Sequence, residues 1–276
     1  MGMLHSNINL MSVEIGQRGV EMVNIEENSQ KDKRVLLMLS GGRDSFLSAC
    51  CLIEEGYQVY MVTYDNGCIS DIGSTKAVAE RIIRKYGTSK AVFVGVQSIA
   101  ANLYRLQEPY LYQTISESSG KYPNLRPAQL PCLACHTSMY LEAIAFCKVH
   151  GIHYLAEGAR KAQKFFVELP EMVKRYRELT EQNGIKLVLP VYNLINDWER
   201  KLQLADRGYI PKTKEPQCWI GCPLQKELIP EEIESLATYY DNEIKPELQL
   251  LIDEKMKIYS YEELDSNISG EKYIEF

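Results

Sequence analysis

Residues 39–45 read L-S-G-G-R-D-S and directly follow the apolar run Val35–Met38. A plain turn out of a buried strand needs one glycine. Two in succession, Gly41 and Gly42, strip side chains from the backbone so that its N–H groups can converge on an anion. Ser40 and Ser45 bring hydroxyl donors from either side, and Arg43 brings positive charge. Asp44 would repel a bare phosphate, so it suits a helix start or a magnesium ligand. A valine at Gly42 would fill the anion's space and resist the positive φ expected there. Sulfur supplies the second chemistry. Cys132-Leu-Ala-Cys135 follows Pro131, and Cys218-Trp-Ile-Gly-Cys222 precedes Pro223. Four thiolates at such spacings can close a structural zinc site. Thiolates near a helix N-terminus, their pKa lowered, can instead ligate other metals or attack as nucleophiles. Both pairs are expected in turns. Cys50, Cys51 and Cys147 fall in predicted helices and read as core, whereas Cys68, in the turn after the second strand, stays open.

The elements that must position these residues come from periodicity. The pattern predicts strands at Val35–Leu39, Gln58–Tyr64, Ala91–Val96, Tyr154–Ala156 and Lys186–Leu189. Helices are expected at Ser45–Glu55, Thr75–Tyr86, Tyr140–His150 and Asp197–Arg207, each closed by a glycine: Gly56, Gly87, Gly151 and Gly208. Strands alternating with helices imply an α/β, doubly wound parallel sheet of five strands, Rossmann-like. In such sheets ligands bind beyond the carboxyl ends of strands, where the 40–45 loop would stand at a helix N-terminus carrying roughly half a positive charge. Residues 1–32 read as a flexible leader, 33–225 as the nucleotide domain, and 226–276 as an acidic, mainly helical appendage. The Ser- and Pro-rich stretch Ser116–Pro131 reads as a lid or mobile loop.

Composition is that of an ordinary globular protein, 45% hydrophobic and 25% charged, with a net charge of −6. The charge is uneven: Glu227–Phe276 holds fourteen acids against four lysines, which leaves the remaining sequence basic. An acidic total therefore neither excludes nor requires a nucleic-acid partner. The runs R-K-A-Q-K-F-F at 160–166 and K-R-Y-R at 174–177 either touch RNA phosphates or form a charged helix face. No run approaches the ~18 apolar residues of a membrane span, and no signal pattern opens the sequence. A cytoplasmic setting with reduced cysteines is expected.

S-G-G-R-D-S after the first strand resembles the PP-loop of the ATP pyrophosphatase superfamily, pattern S-G-G-x-D-S, which has an adenine nucleotide alpha hydrolase-like fold. The likeness covers about residues 33–225. It implies that ATP is bound with Mg2+ through Ser40, Gly41, Gly42, Arg43, Asp44 and Ser45. A substrate oxygen then attacks the α-phosphate, pyrophosphate leaves, and ammonia or sulfur displaces AMP. Many members carry Gly-His after the fourth strand. Here E-G-A-R-K keeps Gly158 and leaves Arg160 or Lys161 to contact phosphate. Sulfur-inserting members that act on tRNA similarly pair one C-x-x-C, placed midway along the sequence, with a later cysteine. Cys132, Cys135 and either Cys218 or Cys222 match that layout, as ligands of a [4Fe-4S] cluster or as carriers of sulfur, with Asp44, Cys132, Cys135 and Cys222 as the catalytic set. The resemblance implies tRNA, a sulfur donor protein or small sulfur donor, and a second copy of the protein as partners, and no membrane. An ammonia-using ligase similar to the cyano-deazaguanine synthases, with structural Zn2+, and a non-catalytic nucleotide-binding module are the alternatives.

Overall fold

A computed structural model of the protein describes residues 33–113, 121–209, 216–219 and 227–269, with side chains for all of these but 108–113 and 261–269. Strand β1 (Arg34–Met38) is central. It pairs in parallel with β2 (Gln58–Asp65) on one side and β5 (Tyr154–Glu157) on the other. β4 (Ala91–Ser98) lies outside β2 and β6 (Lys186–Val188) outside β5, giving the parallel order β4-β2-β1-β5-β6. A separate two-stranded ribbon joins β3 (Ile69–Ser70) antiparallel to β7 (Gln217–Cys218).

The unbroken run R-V-L-L-M suits a strand covered on both faces. Val35 and Leu37 enter one core, with Phe46 and Leu52 of α1 (Arg43–Glu54), Ile82 of α2 (Ser74–Tyr86) and Leu204 of α6 (Asp197–Asp206). Leu36 and Met38 enter the other core. There they meet α3 (Ala100–Gln113), α4 (Leu130–Val149), α5 (Pro170–Gln182), α7 (Pro230–Tyr239) and α8 (Lys245–Ser269). A π-helical turn, Tyr240–Ile244, links the last two. Burying a side chain such as Leu37 stabilises by roughly 2 kcal/mol, and the two cores fix the pleat of β1.

The chain runs outward from β1 through β2 to β4, then crosses back to place β5 on the opposite side of β1. The carboxyl ends of β1 and β5 thus diverge at a topological switch point, where a crevice opens. The four glycines expected to stop helices all take positive φ, between +59° and +91°. α3 has no counterpart in the sequence reading, whereas α5 contains the 174–177 run for which a charged helix face was one alternative. α4 starts ten residues earlier than expected because Pro131, read as the end of a loop, sits in its first turn, where a proline lacks no needed hydrogen bond. Pro127–Val149 is also long and apolar enough to cross a membrane by length and composition, contrary to expectation. However, 72% of its most apolar stretch is buried in the protein, as befits a core helix. Of the expected 116–131 lid, residues 116–120 lie outside the described residues, and 127–129 form a 3₁₀ turn leading into α4.

Candidate active site

The 40–45 loop leaves β1 at the switch point. Gly41 has φ +77°, and a Cβ there would stand 2.9 Å from Thr75 Cγ2 and 3.1 Å from Pro216 Cγ. Both conformation and space demand glycine. Gly42, by contrast, is the N-cap of α1 with φ −79° and ψ 172°. The positive φ expected at Gly42 therefore belongs to its neighbour, and a side chain at Gly42 would act through the space it fills. The serines tie the loop together. Ser45 Oγ donates to the Gly42 carbonyl at 3.0 Å, Ser40 Oγ donates to Ser45 Oγ at 3.1 Å, and Gly42 N–H donates to Ser40 Oγ at 3.4 Å. Gly158, just past β5, lies against this backbone: a Cβ on it would sit 2.6 Å from Ser45 N. The result is an N-terminal helix turn open to an anion.

Asp44 is buried in that turn. Its Oδ1 accepts from Arg200 Nη1 at 2.9 Å, and its Oδ2 accepts from Gln163 Nε2 at 2.6 Å and Arg160 Nε at 3.4 Å. Arg160 also donates to the Leu194 carbonyl and is not among the cavity-lining residues, so its guanidinium serves Asp44 in this structure. Both oxygens of Asp44 are thereby engaged by the protein itself.

The loop borders a cavity of about 410 Å3. Ser40, Gly42, Arg43, Asp44, Ser45 and Gly158 line it, and so do Cys68, Cys132, Cys135 and Cys218. Cys132 and Cys135 come from the first two turns of α4 rather than from a turn before it. Cys218 arrives on β7, whose pairing with β3 sets Ile69 against Cys218 and lets Trp219 N–H donate to the Cys68 carbonyl at 3.0 Å. Asn66 Nδ2 donates to Cys135 Sγ at 3.2 Å and to Cys218 Sγ at 3.6 Å. Burial pushes the Cys132 thiol up to about 11, with Cys218 adding to it. Burial pushes Cys135 to about 12, opposed by Asn66 and reinforced by the neighbouring cysteines. The lowered thiol pKa expected of a helix N-terminus is thus reversed, because desolvation outweighs the dipole.

No protein-family model matches the sequence. Among curated proteins it is 32% identical over 214 residues to the tRNA-specific 2-thiouridylase MnmA 1 of Bacteroides fragilis, covering 71% of this chain and 54% of that protein. It is 30% identical over 150 residues to the tRNA-specific 2-thiouridylase MnmA of Sulfurimonas denitrificans, covering 51% and 39%. These relatives bear out the likeness to the PP-loop ATP pyrophosphatase superfamily carried by S-G-G-R-D-S. The chain spans about half the length of the curated relatives first matched. A solved NMN synthetase from Francisella tularensis aligns at 13% identity and TM-score 0.44, covering 84% of this chain and 86% of that one, a likeness too loose to bear on function.

Several residues around the PP-loop escaped the sequence. Arg200, Gln163 and Asn66 reach their partners across 156, 119 and up to 152 residues, and no local motif marks them. Cys68, left open by the sequence, borders the cavity, held between the Asn66 turn and Trp219 N–H. Glu168 also lines the cavity; its carboxyl is pushed up to about 9 by burial, then by the charges of Glu157 and Asp44. Glu157, at the end of β5, accepts from Tyr140 Oη at 2.8 Å and lies 3.1 Å from His136 Nε2.

The basic runs are largely spoken for. Arg175 pairs with Asp241, Arg177 donates to the Leu187 carbonyl, Lys164 pairs with Glu227, and Phe166 is in the core. Cys222 lies outside the described residues. Among those described, no group of three or more His, Cys, Asp or Glu residues could hold a metal ion. Among the described residues, the amide of Asn66 stands against two of the sulfurs, and Cys132, Cys135 and Cys218 do not form a metal-ligating group.

Proposed function

We propose that the protein adenylates a carbonyl oxygen of a tRNA base with MgATP, releases pyrophosphate, and replaces the oxygen with sulfur in the cytoplasm. The observation that carries this reading is one cavity at the switch point bordered both by the PP-loop and by Cys132, Cys135 and Cys218. The first step needs an anion site. The base oxygen attacks the α-phosphorus, the bond to the β-phosphate oxygen breaks, and the pyrophosphate takes the departing electron pair. Backbone N–H groups of residues 41–45 and the start of α1 hold that charge without reorganising.

The second step needs sulfur within reach of the activated carbon. A donor protein or small sulfur donor leaves a persulfide on one cavity cysteine. Its terminal sulfur attacks the carbon, and AMP leaves with the C–O electron pair. A second thiolate then attacks the first cysteine's sulfur, freeing the thiocarbonyl base and leaving a disulfide that an external thiol reduces. The apolar burial of Cys132 and Cys135 keeps water from the adenylated carbon.

Purified protein given MgATP, bulk tRNA and a persulfide donor should exchange labelled pyrophosphate into ATP and yield a thionucleoside by mass spectrometry of digested tRNA. Pyrophosphate exchange with nitrogen incorporated from ammonia, and no sulfur, would overturn the choice of nucleophile. Absence of exchange would overturn the whole reading.

A further inference from the structure

Among the described residues four cysteines border the cavity, and a relay needs two. The residue that tells them apart is Asn66, in the turn after β2. Its Oδ1 accepts from Cys68 N–H at 2.9 Å, which closes an Asx turn and fixes which end of the amide carries hydrogens. The two N–H groups then face the cavity, where one nitrogen donates to Cys135 Sγ and Cys218 Sγ. Asp65, beside it, caps the next residue, donating nothing to sulfur: its Oδ1 accepts from Gly67 N–H at 2.8 Å. The turn is thus anchored twice through its backbone, and the Asn66 amide is held by the Cys68 N–H.

We propose that Asn66 is a positioning residue for the sulfur step: it gathers Cys135 and Cys218, rather than Cys132 or Cys68, into the pair that exchanges sulfur. This rests on the sulfur-transfer reading above. A donor shared by two sulfurs keeps both within reach of one another, and its N–H can follow the negative charge as it passes from one sulfur to the other. Charge-assisted donation of that kind is stronger than the neutral contact it replaces. Cys132 lies one helical turn from Cys135 on α4 and has the same access to the cavity, but Asn66 does not reach it. Cys68 offers Asn66 its backbone N–H, not its sulfur.

The test separates the amide's two jobs. Asn66→Asp keeps an acceptor for Cys68 N–H and so preserves the turn, but it has no N–H to give to sulfur. Asn66→Ala removes both without adding charge. Full-length protein is oxidised with diamide, which takes two hydrogens from two thiols to make one disulfide, and the bridges are mapped by peptide mass spectrometry. Wild type should give Cys135–Cys218 as the main bridge among the cavity cysteines. Both variants should lose that preference by about tenfold, while Asn66→Asp keeps its melting temperature and ATP affinity.

A main Cys132–Cys135 bridge in the wild type, or an unchanged Cys135–Cys218 yield in the two variants, overturns the proposal. The same holds if Asn66→Asp behaves as wild type and only Asn66→Ala changes, since Asn66 would then be a turn cap. None of these readouts needs tRNA. Failure to thiolate tRNA would sink the proposed function and leave the bridge data standing.

Discussion

Asp44 in the PP-loop meets two guanidiniums and an amide, whereas Cys135, bordering the same cavity, is desolvated and receives one N–H···S bond, from Asn66. The loop is finished before any ligand arrives: its glycines have their conformations, its serines are bonded to each other, and its carboxylate is neutralised. The cysteine region is not finished in that sense, since burial holds Cys132 and Cys135 as neutral thiols. A site that binds a nucleotide gains from preorganisation, because donors already in place cost nothing at the moment of reaction. A site that passes sulfur gains from thiols that stay inert until a substrate or donor alters their surroundings. The difference assigns the two half-reactions to two regions that can be broken separately.

The largest separation should come from Cys135→Ser. Serine keeps the size and can still accept from Asn66, but its oxygen cannot carry sulfane sulfur. Thionucleoside formation should fall by at least about a thousandfold, while pyrophosphate exchange stays within about twofold of wild type. Loss of both activities together would mean that the two regions do not divide the reaction.

Arg200→Ala strikes the other region and should have a smaller effect. Arg200 is 5% exposed and holds Asp44 Oδ1, so its removal leaves a buried carboxylate with Arg160 and Gln163 only. Breaking a buried pair from one side should cost about 3 kcal/mol of stability, measured by urea denaturation. The diamide pattern of the cysteines should not change. A neutral outcome in urea would show that Arg160 and Gln163 suffice.

The split between the regions also explains what could be read in advance. The PP-loop is local: strand, two glycines, two serines and helix start lie within a dozen residues, so chemistry and position were legible together. The C-x-x-C was legible as chemistry but misplaced, because Pro131 begins α4 rather than ending a loop. α5 carries Met172, Val173, Tyr176 and Leu179 at helical spacing, which bears out the charged helix face given as one alternative for K-R-Y-R at 174–177. The partners that finish the site were not legible at all. Arg200 and Asp44, or Asn66 and Cys218, meet only because β5 crosses beside β1 and β7 pairs with β3, and no single sequence window contains that information.

Glu168 supplies the smallest and most selective test, because it is a carboxyl in the same cavity that lacks Asp44's close guanidinium partners. Its Oε2 is buried with no hydrogen-bond partner, and its carboxyl is pushed up to about 9 by burial, then by Glu157 and Asp44. In the unfolded state it would titrate near ~4.3. Between those two values the unfolded state has released the proton and the folded state still holds it. Stability from this group is therefore complete below about pH 4.5 and is lost progressively as pH rises toward 9. Glu168→Gln keeps the shape of the neutral acid and has no proton to lose. The variant should match wild type near pH 4.5 and become more stable as pH rises, by on the order of 2 kcal/mol already at pH 6. Thermal melts across that range read the effect directly. Wild-type and variant curves that stay parallel from pH 4.5 to 8 would show that Glu168 is ionised in the folded protein. The cavity would then carry a second compensated carboxylate, and the contrast with Asp44 would disappear.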